Sequence, residues 1–259
     1  MPNPLIFDDA PELYDRVRPR YVPELFAALL EYAKIAPGAR ALEIGCGTGQ
    51  ATRPFLEAGV IVEALEPGVK AVSFTENNLK HFKNLRVINE KFEDLSRPAE
   101  YYDLIYSATA FHWIDPKIAL PKAFELLKRG GTLALFWNRP YVARRDEPTH
   151  LAIQSVYSRF FENGRETRLP PEQDQKRYDK ILSEITAAGF SDPELRLFKA
   201  TRVMNACDYV ALLNTYSDHI SLPPGKKQDF MRAISGAIEQ NGSSVNIYDT
   251  MDLYLARKS

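Results

Sequence analysis

Three glycines alternate in LEIGCGTGQ, at positions 45, 47 and 49, with an acid, Glu43, two residues ahead of the first. Glycines spaced this way mark backbone that turns tightly and lets a ligand come close. A P-loop is excluded, because no lysine follows Gly49 within the next helical turn. The dinucleotide fingerprint, Gly-x-Gly-x-x-Gly, is also missed: the third glycine comes one position early and is followed by Gln50. Glu43 would face a pyrophosphate with the wrong sign, whereas a cationic ligand suits it. A second acid, Glu66, stands 17 residues beyond Gly49, where a carboxylate can accept the hydroxyls of a ribose. Its neighbour Glu63 is read as a surface residue from strand alternation. Types and spacing together point to a cationic ligand that carries a ribose and no pyrophosphate. An NAD-dependent oxidoreductase is the less fitting alternative.

Two other groups could take part in chemistry. Cys46 lies inside the turn without a neighbouring base, so it reads as a small spacer and not as a nucleophile. His112, in SATAFHW, is a candidate general base because an unperturbed imidazole titrates near pH 6.5, roughly, and a wall or hydrogen-bonding residue is its alternative. Trp113 beside it is read as packing. His81, His150 and His219 are scattered, with no ligand-type spacing, and no metal site is expected.

These residues need a frame to hold them. RALEIG, VIVEALEP, LRVINEKF, YDLIYSAT and GTLALFWN read as strands, and the stretches between them as helices or short connections. VPELFAALLEYAKI, ahead of the first strand, is an amphipathic helix. Alternating strands and helices, with several strands nearly continuous in apolar residues, predict an α/β, doubly wound sheet covered on both faces. After Asn138 the pattern changes to four helices and only two strands, ELRLFKATRVM and SVNIYDTMDLYLARK. Those strands are expected to rejoin the sheet, and the helices to cap the strand ends where ligands bind in open α/β sheets. The expected organisation is one domain over 1–259, with a ligand-binding core at 33–140 and helical cap insertions at 141–190 and 205–242.

Composition narrows the partners. A formal charge of −1 across 259 residues gives no general attraction to nucleic acid. Two cysteines suggest neither a disulfide framework nor a zinc cluster, which fits a reducing, cytoplasmic setting. No apolar run approaches the roughly 20 residues that span a bilayer, so no membrane association is expected.

The ordered series LEIGCGTGQ, LEPG, NEKFEDL, YDLIYSATAFHW and LLKRGGTLALFW resembles the successive motifs of class I S-adenosylmethionine-dependent methyltransferases. The resemblance covers about residues 10 to 140. It implies a Rossmann-like sheet of seven strands, mostly parallel with the last one reversed, and S-adenosylmethionine as cofactor. It puts Glu43, Gly45, Cys46 and Gly47 around the amino-acid end of that cofactor and Glu66 on its ribose, with Gln50 and Pro67 completing the two turns. The backbone of Phe92 and the carboxylate of Glu93 would lie near the adenine, although Glu90 and Lys91 replace a common Gly-Asp pair. Ala108, Phe111 and His112 would line the methionine side. YDRVRPRY is similar to the Tyr-x-x-x-Arg-Pro-x-Tyr stretch of a trans-aconitate-type, small-molecule subgroup. That likeness would close Tyr14 and Tyr21 over the cofactor and pair Arg18, or Arg20, with a carboxylate. The Asn/Asp-Pro-Pro-aromatic tetrapeptide of nucleic-acid amino methylases is absent. The implied activity is methyl transfer to oxygen, nitrogen or carbon of a small molecule, or, as an alternative, a regulatory protein that keeps the cofactor pocket.

Overall fold

The computed structural model describes residues 11–161 and 170–259, which leaves 162–169 of the first expected cap stretch outside the described residues. One sheet organises the chain: β1 (Arg40–Ile44), β2 (Ile61–Leu65), β3 (Leu85–Ile88), β4 (Tyr102–Ala108), β5 (Leu127–Tyr141), β6 (Ser191–Asn205) and β7 (Ser244–Arg257). Their spatial order is β3-β2-β1-β4-β5-β7-β6. The first five run parallel, and β7 inserts antiparallel between β5 and β6. The strand order reverses between β1 and β4, and at such a switch point the carboxyl ends of the strands open a crevice. The chain has a seven-stranded, doubly wound, Rossmann-like sheet with a reversed last strand.

Residue parity explains why both faces are covered. Ile105, Leu133, Leu135 and Trp137 point into one apolar layer, which α5 (Pro116–Leu126) and α7 (Gln175–Ala187) complete. Leu104, Tyr106, Ala134 and Phe136 point into the other, against α2 (Pro23–Ala33) and α3 (Thr52–Glu57). Alternate residues of a strand face opposite sides, so a stretch buried on both must be apolar throughout, as Leu104–Tyr106 of β4 and Leu133–Trp137 of β5 are. A short α4 (Val69–Asn78) follows β2.

A third apolar cluster is built around Val245 and Ile247 at the start of β7. It joins α6 (Pro148–Phe160), α8 (Ala206–Leu213) and α10 (Pro224–Glu239), and includes Val17 of a short N-terminal helix, α1 (Pro11–Val17). Three differences from the sequence reading stand out. α7 lies on the sheet beside α5 and not in the cap, because Tyr178, Ile181 and Ile185 form one apolar stripe that enters the sheet layer. CDYVALLNTYSDHI breaks after Leu213 and resumes as α9 (Ser217–Ile220). There the Asn214 and Thr215 side chains donate to the carbonyls of Val210 and Leu212, and such local bonds compete with helix propagation. Finally, α1 forms where the sequence offered only a lead-in, held by contacts with distant residues.

Candidate active site

A cavity of about 450 Å3 opens at the carboxyl ends of β1, β2, β4 and β5, under α1. Tyr14, Arg18, Tyr21, Gly45, Cys46, Gly47, Gln50, Glu66, Pro67, Phe92, Glu93, Ala108 and His112 all line it. Glu43 and Phe111 do not: the first lies beneath the floor, and the second turns into the sheet core.

The three glycines of the turn all take positive φ, at 72°, 55° and 81°, but a side chain at each would meet different surroundings. A Cβ on Gly45 would lie 2.5 Å from the Ala110 Cβ, and one on Gly49 2.8 Å from the Leu79 Cδ1. One on Gly47 would meet nothing within 4 Å. Gly45 and Gly49 are therefore glycine for packing, and Gly47 is the position whose open side faces the cavity. Cys46 is buried, its amide donates to the Leu65 carbonyl, and burial raises its thiol well above the ordinary range. A thiol so placed stays protonated and inert, as a spacer should.

Two acids serve this turn in different ways. Glu66 accepts the Gly47 amide at 2.9 Å through Oε2 and the Gly68 amide at 2.8 Å through Oε1, so the carboxylate braces two turns while facing the cavity. Glu43 is fully buried, and its Oε2 accepts hydroxyl hydrogens from Thr52 at 2.5 Å and Tyr106 at 3.0 Å. Its Oε1 has no hydrogen-bond partner among the described residues. Burial, set against those two bonds, pushes its pKa up to about 7. Glu63, expected at the surface, is instead mostly covered and gathers Arg97, Arg86 and the Tyr102 hydroxyl. Its register partner on β1 is Leu42, so the pleat turns Glu63 to the same face as that core residue, where Arg97 and the Tyr102 hydroxyl meet it.

The roof comes from the N-terminus. Asp15 of α1 accepts hydrogen bonds from Thr48 Oγ1 at 3.1 Å and Gln50 Nε2 at 3.2 Å, tying the helix to the glycine turn. Arg18 donates from Nε to Thr215 Oγ1 at 2.9 Å and lies between the rings of Tyr14 and Tyr216, 4.8 and 4.5 Å from their centroids. Arg20 points away from the cavity to Asp15. Tyr21 shares a 2.6 Å hydrogen bond with Thr109 Oγ1, and burial raises its phenol well above the usual range, which keeps it protonated.

The opposite wall is the end of β4. Thr109 adopts φ 54°, an unfavourable region for a β-branched residue, and its hydroxyl also accepts the Asn138 amide at 3.3 Å. The Asn138 Oδ1 is buried without a hydrogen-bond partner among the described residues. His112 follows on a 3-10 turn, Phe111–Trp113, and its Nδ1 accepts the Trp137 indole N–H at 3.1 Å. The surrounding protein and the Arg177 cation hold its pKa down to about 4. Farther round, Lys122 Nζ donates to the Glu93 carbonyl at 2.7 Å and lies 5.4 Å from the Phe92 ring centroid, fixing the Glu90–Glu93 wall.

The sequence reading missed Asp15, Thr109, Asn138 and Tyr216. Asn138 had a signal, a lone amide ending an apolar strand at its carboxyl end. Tyr216 had none, since it arrives from the cap. His150 and His219 are buried and His81 is exposed, and no group of His, Cys, Asp or Glu among the described residues could hold a metal. No helix among the described residues is long and apolar enough to cross a membrane.

Comparison with known proteins agrees with this geometry. Residues 42–135 match the model of a family described as a methyltransferase domain. An uncharacterised methyltransferase of Mycobacterium tuberculosis is 32% identical over 134 residues, 52% of this chain and 52% of the relative. The chain thus spans about half the length of that relative. A solved structure from Anaeromyxobacter dehalogenans, described provisionally as a type II methyltransferase, superposes with a TM-score of 0.62 at 20% identity, covering 93% of this chain and 98% of the other. Phosphoethanolamine N-methyltransferase 2 of Haemonchus contortus, solved with S-adenosylmethionine, superposes at 0.55 and 13% identity over 97% of this chain and 57% of its own.

Proposed function

We propose that this chain, a member of the class I S-adenosylmethionine-dependent methyltransferase family, transfers a methyl group to oxygen, nitrogen or carbon of a small molecule. The observation that carries the reading is the coincidence of Gly47, open to the cavity, with Glu66 at the neighbouring strand end and the orphaned Glu43 oxygen beneath. A cationic nucleoside fits that donor set, and a volume of about 450 Å3 is ordinary for a small-molecule site. Glu66 would receive the ribose, the Phe92 amide and Glu93 the adenine edge, and the turn from Gly45 to Gly47 the amino-acid end. Buried negative charge at Glu43 adds to the potential that favours a cation there.

When bound, the cofactor supplies an electrophilic methyl on a sulfonium that is already a good leaving group. The protein's work is then to bind, align and exclude water, which is worth far more than any single catalytic side chain in such a displacement. Asp15, Arg18 and Tyr21 hold α1 as a roof, and Tyr216 joins them from the cap. Thr109, held in a strained conformation by two hydrogen bonds, fixes the wall where the acceptor must approach. His112 borders that wall as a neutral ring. Its indole partner donates to Nδ1, so the ring proton resides on Nε2, which suits His112 to hold an acceptor through a donated hydrogen bond.

A cavity roofed by aromatic rings, on a chain of formal charge −1, supports a small molecule and not a nucleic acid as substrate. The test is incubation with methyl-labelled S-adenosylmethionine and a fractionated metabolite pool. Label entering a small-molecule fraction is expected. Tight cofactor binding with no transfer to any fraction would favour the regulatory alternative.

A further inference from the structure

We propose that a second cavity, sharing His112 and Ile114 with the first, receives the methyl acceptor, an apolar small molecule ending in a carboxylate held by His112 Nε2. The inference rests on the reading of the first cavity as the methyl-donor site. The second cavity holds about 470 Å3 between the β4–α5 connection, β5 and α7, within the roughly 300–1,000 Å3 usual for small ligands.

Its lining has the two halves that such a molecule needs. Leu120, Leu135, Trp137 and Ile181 make an apolar wall, and α7 supplies Lys176, Arg177 and Lys180. Each acid nearby already has a cation: Asp174 lies 2.6 Å from Arg139, Glu184 3.8 Å from Lys180, and the buried Asp252 3.4 Å from Arg177. Lys176 makes no ion pair with a described residue, which leaves the cavity one cation in excess. The Arg177 guanidinium lies 5.0 Å from the Trp137 ring centroid, so positive charge and apolar surface meet on one wall. An anion carried on an apolar body complements this wall, whereas a cationic amine would be repelled.

His112 selects the same class independently. An indole N–H can only donate, so the 3.1 Å bond from Trp137 makes Nδ1 an acceptor and leaves the proton on Nε2. Nε2 has no hydrogen-bond partner among the described residues, and the ring is exposed where the two cavities meet. A ring in this tautomer offers a hydrogen bond and has no free lone pair with which to remove a proton. The acceptor it suits arrives already ionised, as a carboxylate does at neutral pH. A carboxylate oxygen forms the O–CH3 bond as the S–CH3 bond breaks, the bonding pair passes to sulfur, the sulfonium becomes a neutral thioether, and no proton moves. The product is a methyl ester.

The test titrates hexanoate, octanoate and decanoate into the full chain by calorimetry, with and without S-adenosylhomocysteine. Binding that strengthens with chain length is expected, weakened about tenfold or more by Lys176→Glu and by Ile181→Arg, with S-adenosylhomocysteine affinity unchanged. No binding of any carboxylate, or binding indifferent to both variants, overturns the proposal. Failure of S-adenosylhomocysteine to bind would instead sink the methyl-donor reading. In nitrogen-15 spectra near neutral pH, the signal lost in His112→Asn is expected to report the Nε2–H tautomer. An Nδ1–H or doubly protonated ring would overturn the role given to His112.

Discussion

Glu43→Gln isolates what a buried acid costs this fold and why it is there. In the folded chain the Glu43 pKa is raised from the usual 4.5 to about 7, chiefly by burial and against the pull of Thr52 and Tyr106. Below about pH 4.5 the group is protonated in both states and its contribution is fully favourable. As pH rises the unfolded chain ionises first, so stability falls between about pH 4.5 and pH 7 and stays low above that window. The gap from 4.5 to about 7 corresponds to about 3 kcal/mol, at about 1.4 kcal/mol per pH unit. Glutamine matches protonated glutamate in shape and cannot ionise. The variant is therefore expected to match the wild type near pH 4 and to be more stable near pH 8.5, by up to about 3 kcal/mol. Its amide must also avoid setting an N–H against the hydroxyls that now donate to Oε2, which the free Oε1 position permits. Urea unfolding of the cofactor-free chain at the two pH values measures the difference. A stabilised variant with weaker cofactor binding would mark Glu43 as an acid kept for its charge. Equal pH dependence in the two proteins, or a variant less stable near pH 8.5, would refute the reasoning.

Two glycines should separate packing from ligand access. Gly45→Ala collides with Ala110 and should destabilise the chain by roughly 2 kcal/mol or more, read by denaturant midpoint. Gly47→Ala meets no neighbour and should cost only about 1 kcal/mol of backbone strain while abolishing measurable cofactor affinity. His112, held down at about 4, is neutral throughout the physiological range, so the rate should show no ionisation from it between about pH 6 and 8. The same depression means that acidification from about 6.5 towards 4 removes stability, because the unfolded chain takes up the proton first. An apparent rate pKa near 6.5 that disappears in His112→Asn would count against this assignment. Asp15→Ala releases α1 from Thr48 and Gln50, and should raise the cofactor Kd by about tenfold with little change in the urea midpoint.

The frame of this molecule was legible because it is written in local pattern. Apolar strands, the helices between them and the glycine turn set the sheet, and the spacing of Glu66 from Gly49 placed an acid at the next strand end, where it faces the cavity. Residues whose roles depend on distant partners were not legible. Arg18 reads as the partner of a ligand carboxylate, whereas Thr215 and Tyr216 reach it from the cap, and α1 is too short to signal itself without the Asp15 contacts. From the sequence Glu43 reads as facing the ligand, yet one pleat decides whether a strand-end acid lines a cavity or lies under it. His112 looked like a base by residue type alone. Only the position of Trp137, on another strand, reveals which of its nitrogens carries the proton.

On the function proposed above, the cavity at the glycine turn holds S-adenosylmethionine with its ribose on Glu66. Calorimetric titration of S-adenosylhomocysteine into wild type and Glu66→Ala tests it most directly. One saturable site is expected in the wild type and an affinity loss of about a hundredfold in the variant, with the fold retained. No binding to the wild type, or equal affinity in both proteins, would contradict it.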